Sequence, residues 1–259
     1  MKKLTSKLTT SQRLQRYGAS LVLAITLAAC AAPGKELAVS AAICNAAPDT
    51  SQTQYVIGYG SLMQEESRKR TAPKAGPSYP VVVQGYRRGW FAKGGSVGFD
   101  TTYLGLVADS SSQLNAVVYQ IDAAEIALTD KREFSYCRQS VPAEQIAALV
   151  AEAPAPKGQL WIYVSKPEGM ATVSARHPIV QSYVDIFVSG CLEQEQRFGL
   201  KGFAQQCLAT TSDWSQHWVN DRIYPRRPFI YQPKARQIDA LLAEHLPQYF
   251  AHIRLEAGQ

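Results

Sequence analysis

From residue 54 to residue 165 the sequence alternates short runs of β-branched and aromatic residues with clusters of glycine and serine. Strand-like runs fall at 54–59, 80–84, 88–92, 103–108, 114–121 and 159–165, with "KGGSVG" and "ADSSSQ" among the separators. Runs of this length bounded by Gly and Ser read as strands joined by turns. Such a half-chain folds as a small mixed β-barrel or twisted sheet. Helical signals come between and after the strands. Asp122 offers an N-cap, with Glu125 three residues on. Pro178 opens a second helix, which carries Ile179, Tyr183, Ile186 and Phe187 at helical spacing. The last helix has Ile238, Leu241, Leu242, Leu246, Tyr249 and Phe250 on one stripe. His245 lies on that stripe and reads as a packed histidine rather than a ligand. The expected class is α+β: a small mixed barrel or sheet with flanking helices over 53–165, and a helical C-terminal extension over 166–259 packing on it.

The formal charge of +6 invites a nucleic-acid partner, but its distribution argues against one. Of the 27 basic residues, Lys2, Lys3, Lys7, Arg13 and Arg16 precede residue 30, where there is no acid; the remaining 22 face 21 acids. The basic N-terminus runs into "SLVLAITLAAC", an apolar stretch too short for a bilayer span, which takes about 20 residues. It fits a secretory signal. Leu27-Ala28-Ala29-Cys30 resembles a bacterial lipobox, which implies a signal peptide over 1–29 and a lipid on the Cys30 thiol. An ordinary signal cut near an A-x-A site is the alternative. Residues 30–52, rich in Ala, Pro and Ser, read as a tether. Ala31 is not aspartate, so the expected place is the bacterial cell envelope, attached through Cys30 to the periplasmic face of the outer membrane.

Export makes the remaining cysteines, Cys44, Cys137, Cys191 and Cys207, candidates for disulfides. Sequence alone cannot choose among the three pairings. Cys191–Cys207 is the favoured one, because it closes a short loop between two helical segments. No C-x-x-C is present and no histidine sits beside a cysteine, so no metal site is expected. "RIYPRRPFIYQP" over 222–233 reads as a strap whose arginines pair with acids and whose rings pack on the core. Trp214 and Trp218 read as core packing, and "SRKRTAPK" as a solvated loop.

Two stretches carry chemistry. One is "YGSLM" at 59–63, where the first strand ends. The other is "LTDKREFSYCRQSV" at 128–141, at the exit of the Asp122 helix. Glycines at 58 and 60 allow a bare backbone to approach a ligand. Glu133, beside Phe134 and Tyr136, is a carboxylate that burial could tune for proton transfer; alone, it reads better as a surface partner of Arg132 or Arg138. Taken in order with "GYRRGW" and "LNAVVYQID", the two stretches resemble the γ-glutamylcyclotransferase family over about residues 54–142, reaching towards 165. The resemblance implies that Tyr59, Gly60, Ser61 and Leu62 form the substrate loop. It implies that Glu133 is the catalytic acid/base and that Tyr136 flanks the substrate. It also implies a small γ-glutamyl substrate that cyclises to 5-oxoproline, with no cofactor. The nucleophile then belongs to the substrate. Ser61 lacks a Gly-x-Ser-x-Gly setting and reads as a binding or turn residue. Two non-catalytic alternatives stay open: a lipoprotein that binds a γ-glutamyl or other amino compound in the same pocket, and an envelope scaffold that uses its C-terminal segment.

Overall fold

The computed structural model describes residues 44–96, 99–153, 157–226 and 233–255. The leader, Cys30 and most of the tether lie outside the described residues. The strands are β1 (Gln54–Gly58), β2 (Ser78–Ser96), β3 (Phe99–Ile121), β4 (Tyr136–Ser140), β5 (Ile146–Ala148), β6 (Gln159–Ser165), β7 (Ile179–Val180), β8 (Thr211–Ser212), β9 (Trp218–Asn220) and β10 (Arg254–Leu255). The helices are α1 (Glu65–Lys69), α2 (Ala123–Arg132), α3 (Gln181–Phe198), α4 (Phe203–Ala209), α5 (Ala235–His245) and α6 (Pro247–Phe250).

All the strands join one mixed sheet. Its main path runs β10-β9-β7-β3-β1-β6-β4, with β2 pairing β3, β5 and β8. The path has two ends, so of the expected barrel or sheet the chain forms an open sheet. β1 is central and fully buried, antiparallel to β3 and parallel to β6. The expected runs at 80–84 and 88–92 are one strand, β2, and those at 103–108 and 114–121 are one strand, β3. The two pair as a long antiparallel ribbon. "ADSSSQ" is therefore an irregularity inside a strand. Register shifts between Gln84 and Tyr86, where Gly85 takes φ 85°. Across from it Asp109 accepts from the Ser111 amide and from the Ser111 and Ser112 hydroxyls.

Three helix expectations shift. α2 begins where expected, but Asp122 makes no side-chain cap, and Glu125 accepts instead from the Lys74 amide at 2.9 Å. The helix expected from Pro178 starts at Gln181, because Ile179 and Val180 are strand residues paired with Thr102, Trp218 and Val219. The stripe from Ile238 to Phe250 is two helices, α5 and α6, divided at Leu246 by Pro247.

The favoured cysteine pairing is corrected. Cys44 is bonded to Cys137, while Cys191 and Cys207 are buried free thiols. One backbone and one side-chain bond hold the neighbouring residues together: Asn45 N donates to Arg138 O at 2.9 Å, and Arg138 N to Asn45 Oδ1 at 2.8 Å, which lays the start of the described chain along β4. Trp214 stacks on Trp218 with ring centroids 5.3 Å apart, inside the core as expected. In the 222–233 strap Arg222 pairs with Asp185 and Asp239, as expected of its arginines. Ile223 and Tyr224, however, are exposed rather than packed, and 227–232 lie outside the described residues.

Candidate active site

After Gly58 the chain leaves the sheet and enters a single 3-10 turn, Ser61–Met63. Buried arginines fix the carbonyls of this loop. Arg88 Nη1 donates to Tyr59 O at 3.0 Å, and Arg68 Nη1 to Leu62 O at 3.1 Å and Met63 O at 3.2 Å. Met63 N donates back to Gly60 O at 3.0 Å. In a planar trans peptide the N–H points opposite to the C=O. With Tyr59 O turned to Arg88 and Gly60 O turned to Met63, the amides of Gly60 and Ser61 face the other way. Among the described residues neither amide has an acceptor. The glycines are needed for space. A Cβ on Gly58 would lie 3.0 Å from Leu62, and one on Gly60 would lie 2.8 Å from the Tyr183 hydroxyl.

Glu133 enters from α2, at the residue that ends the helix, and its amide bonds Thr129 O at 2.8 Å. Its carboxylate pairs with Arg132 Nε at 3.1 Å, with both side chains largely buried. Arg132 also reaches the Ser61 hydroxyl at 3.0 Å and the Ser67 carbonyl at 2.6 Å. One guanidinium thus ties the acid to the loop. The simpler expectation, a pair with Arg132 or Arg138, holds for Arg132, but inside a cavity rather than on the surface. Arg138 pairs with Asp130 at 2.8 Å.

A narrow cavity of about 20 Å³ is lined by Tyr59, Gly60, Ser61, Leu62, Glu133 and Tyr136, together with Leu104, Tyr163 and Tyr183. All the site residues expected from the sequence, apart from the lipidation cysteine, therefore meet at one cavity. A wider compartment of about 320 Å³ shares Ser61, Glu133, Tyr136 and Tyr183 with it, and extends past Lys93 and the exposed Phe134. The inner phenols are committed as donors: Tyr59 to Tyr163 O at 2.6 Å, Tyr136 to Leu104 O at 2.9 Å and Tyr163 to Asp130 Oδ1 at 2.8 Å. Burial, reinforced by the Glu133 charge, holds Tyr59 well above the ordinary phenol range; burial and neighbouring phenols do the same for Tyr136. Both stay neutral at ordinary pH and act as walls, not bases.

Sequence reading gave no role in the site to Arg88, Tyr163 or Tyr183, and named Arg132 only as one of two surface partners for Glu133. Arg88 stands in the quoted "GYRRGW", and a charge inside a strand-like run was the available signal. Tyr183 was read only as part of a helical stripe.

A sequence model of the family described as γ-glutamyl cyclotransferase, AIG2-like, matches residues 56–182. The match includes the loop, Glu133 and Tyr136. No curated protein sequence matches the chain. Among solved structures, one titled a γ-glutamyl cyclotransferase has a TM-score of 0.47 at 13% identity, covering 74% of this chain and 99% of its own. An uncharacterised human protein gives 0.46 at 15% identity, covering 63% of this chain and 92% of its own. A glutathione-specific γ-glutamyl cyclotransferase from yeast gives 0.37 at 11%, covering 61% and 97%. The open sheet with flanking helices agrees with the family match, and over residues 56–182 the chain belongs to the γ-glutamyl cyclotransferase, AIG2-like, family.

Proposed function

We propose that the protein cyclises a γ-glutamyl group to 5-oxoproline and releases an amine or amino acid. The observation that carries this reading is the meeting of the Glu133 carboxylate and the outward-facing Gly60 and Ser61 amides at one cavity. In the reaction the substrate's α-nitrogen attacks its own γ-carbonyl carbon. A ring N–C bond forms, the amide C–N bond breaks, and a proton moves from the attacking to the leaving nitrogen. Glu133 takes that proton and hands it on. Holding the substrate folded supplies rate by proximity. The loop amides stabilise the oxygen on which charge develops. The wider compartment, which contains Ser61, Glu133, Tyr136 and Tyr183, has the room for the substrate. The Arg132 pair aims Glu133 before attack. The test is release of 5-oxoproline from a panel of γ-glutamyl amino acids, peptides and amines by the purified protein. Release from at least one member is expected; release from none would reject the reading.

A further inference from the structure

The family match stops at residue 182, yet the next residue, Tyr183, lines both compartments of the cavity. It stands in the first turn of α3, in the C-terminal segment. Its ring is packed against Tyr103 with centroids 4.8 Å apart and edge-on to Trp90 at 5.8 Å. The preceding Ser182 is anchored by Asp221, which accepts from its amide at 2.7 Å and from its hydroxyl at 2.6 Å. The side chain is therefore held on two sides and along its own backbone. Its hydroxyl sits against the loop, 2.8 Å from where a Cβ of Gly60 would be. That is the residue whose amide, with that of Ser61, faces away from the arginine clamps.

We propose that Tyr183 is a catalytic residue of this site, its hydroxyl donating a hydrogen bond to the γ-carbonyl oxygen held at the Gly60 and Ser61 amides. The C-terminal segment then completes the site rather than only covering the sheet. The inference rests on the cyclotransferase reading. The phenol only donates a hydrogen bond: it polarises the carbonyl and stabilises the oxyanion, while the bonds made and broken are those of the cyclisation and the proton still passes through Glu133.

Two measurements test it. Tyr183→Phe keeps the ring and its packing and removes only the oxygen. Loss of one oxyanion donor should lower kcat by about 10²-fold. KM should stay within about threefold, because the bond strengthens in the transition state. A packing role alone predicts unchanged kcat. Separately, Gly60→Ala should lower the melting temperature, and adding Tyr183→Phe should restore much of it by removing the oxygen that the new methyl meets, without restoring turnover. Tyr183→Phe turnover equal to wild type, or no thermal coupling between the two positions, would overturn the proposal. If wild type releases no 5-oxoproline, the cyclotransferase reading fails and takes this inference with it, while the thermal coupling still shows whether the hydroxyl sits on Gly60.

Discussion

Arg88 carries its charge at full burial, and its hydrogen-bond acceptors are all neutral. It donates to the carbonyls of Tyr59, Asn115 and Cys207 and to the hydroxyls of Thr210 and Thr211, with its guanidinium over the Phe187 ring. Burial pulls its pKa down, and the fork of donors is what keeps it in place. One side chain thereby ties the loop after β1 to β3 and α4. Arg88→Met would leave buried carbonyls without donors, at about 1–3 kcal/mol for each unsatisfied group. A total loss of about 3 kcal/mol or more is expected in denaturant unfolding. A change below about 1 kcal/mol, the scale of an exposed pair, would show that the clamp is unimportant. The sequence shows two adjacent arginines, Arg87 and Arg88, in one strand-like run. Alternation says that one faces in and the other out, but not which. The irregularity at Gly85 decides it, and that is a property of the paired strands.

Local signals found the kinds of element better than their limits. Glycines and serines inside "ADSSSQ" and around Gly85 read as strand ends, but a long ribbon absorbs them as bulges because both partners continue beyond. Ile179 carries helical spacing with Tyr183 and Ile186, yet β3 and β9 offer it and Val180 a ladder, and tertiary pairing wins. Pro247 was readable as a break in the last helix, since it has no N–H to give. The cysteines show the limit of spacing arguments. Cys191 and Cys207 are near in sequence and remain thiols, whereas Cys44 and Cys137, 93 residues apart, are bonded. Between helices, Arg222 bridges Asp185 of α3 at 2.7 Å and Asp239 of α5 at 2.8 Å. The Asp185 side chain is wholly buried; burial pushes its carboxyl up, and Arg222 pulls it back down. Arg222→Met would strand that carboxylate and should cost about 3–5 kcal/mol. Thermal unfolding measures it, with Arg222→Lys expected in between. An unchanged midpoint for Arg222→Met would mean that α5 is held by its apolar face alone.

Across the molecule, the cavity draws Tyr59 from the end of β1, Leu104 from β3, Glu133 from the end of α2, Tyr163 from β6 and Tyr183 from α3. The loop and the acid were legible because each is a compact local pattern. Their convergence follows from β1 lying between β3 and β6, which no local window displays. Tyr183 was illegible as a site residue because only the docking of α3 brings it to Gly60. Under the proposed function Glu133 carries the proton between the attacking and leaving nitrogens. Glu133→Gln keeps the shape of the side chain and removes the base. The decisive measurement is 5-oxoproline release and substrate affinity, side by side, on wild type and Glu133→Gln. Turnover should fall on the order of 10²–10⁴-fold while affinity is largely kept, because the loop remains. Turnover within a few-fold of wild type would contradict it, and would leave Glu133 as no more than the ion-pair partner of Arg132.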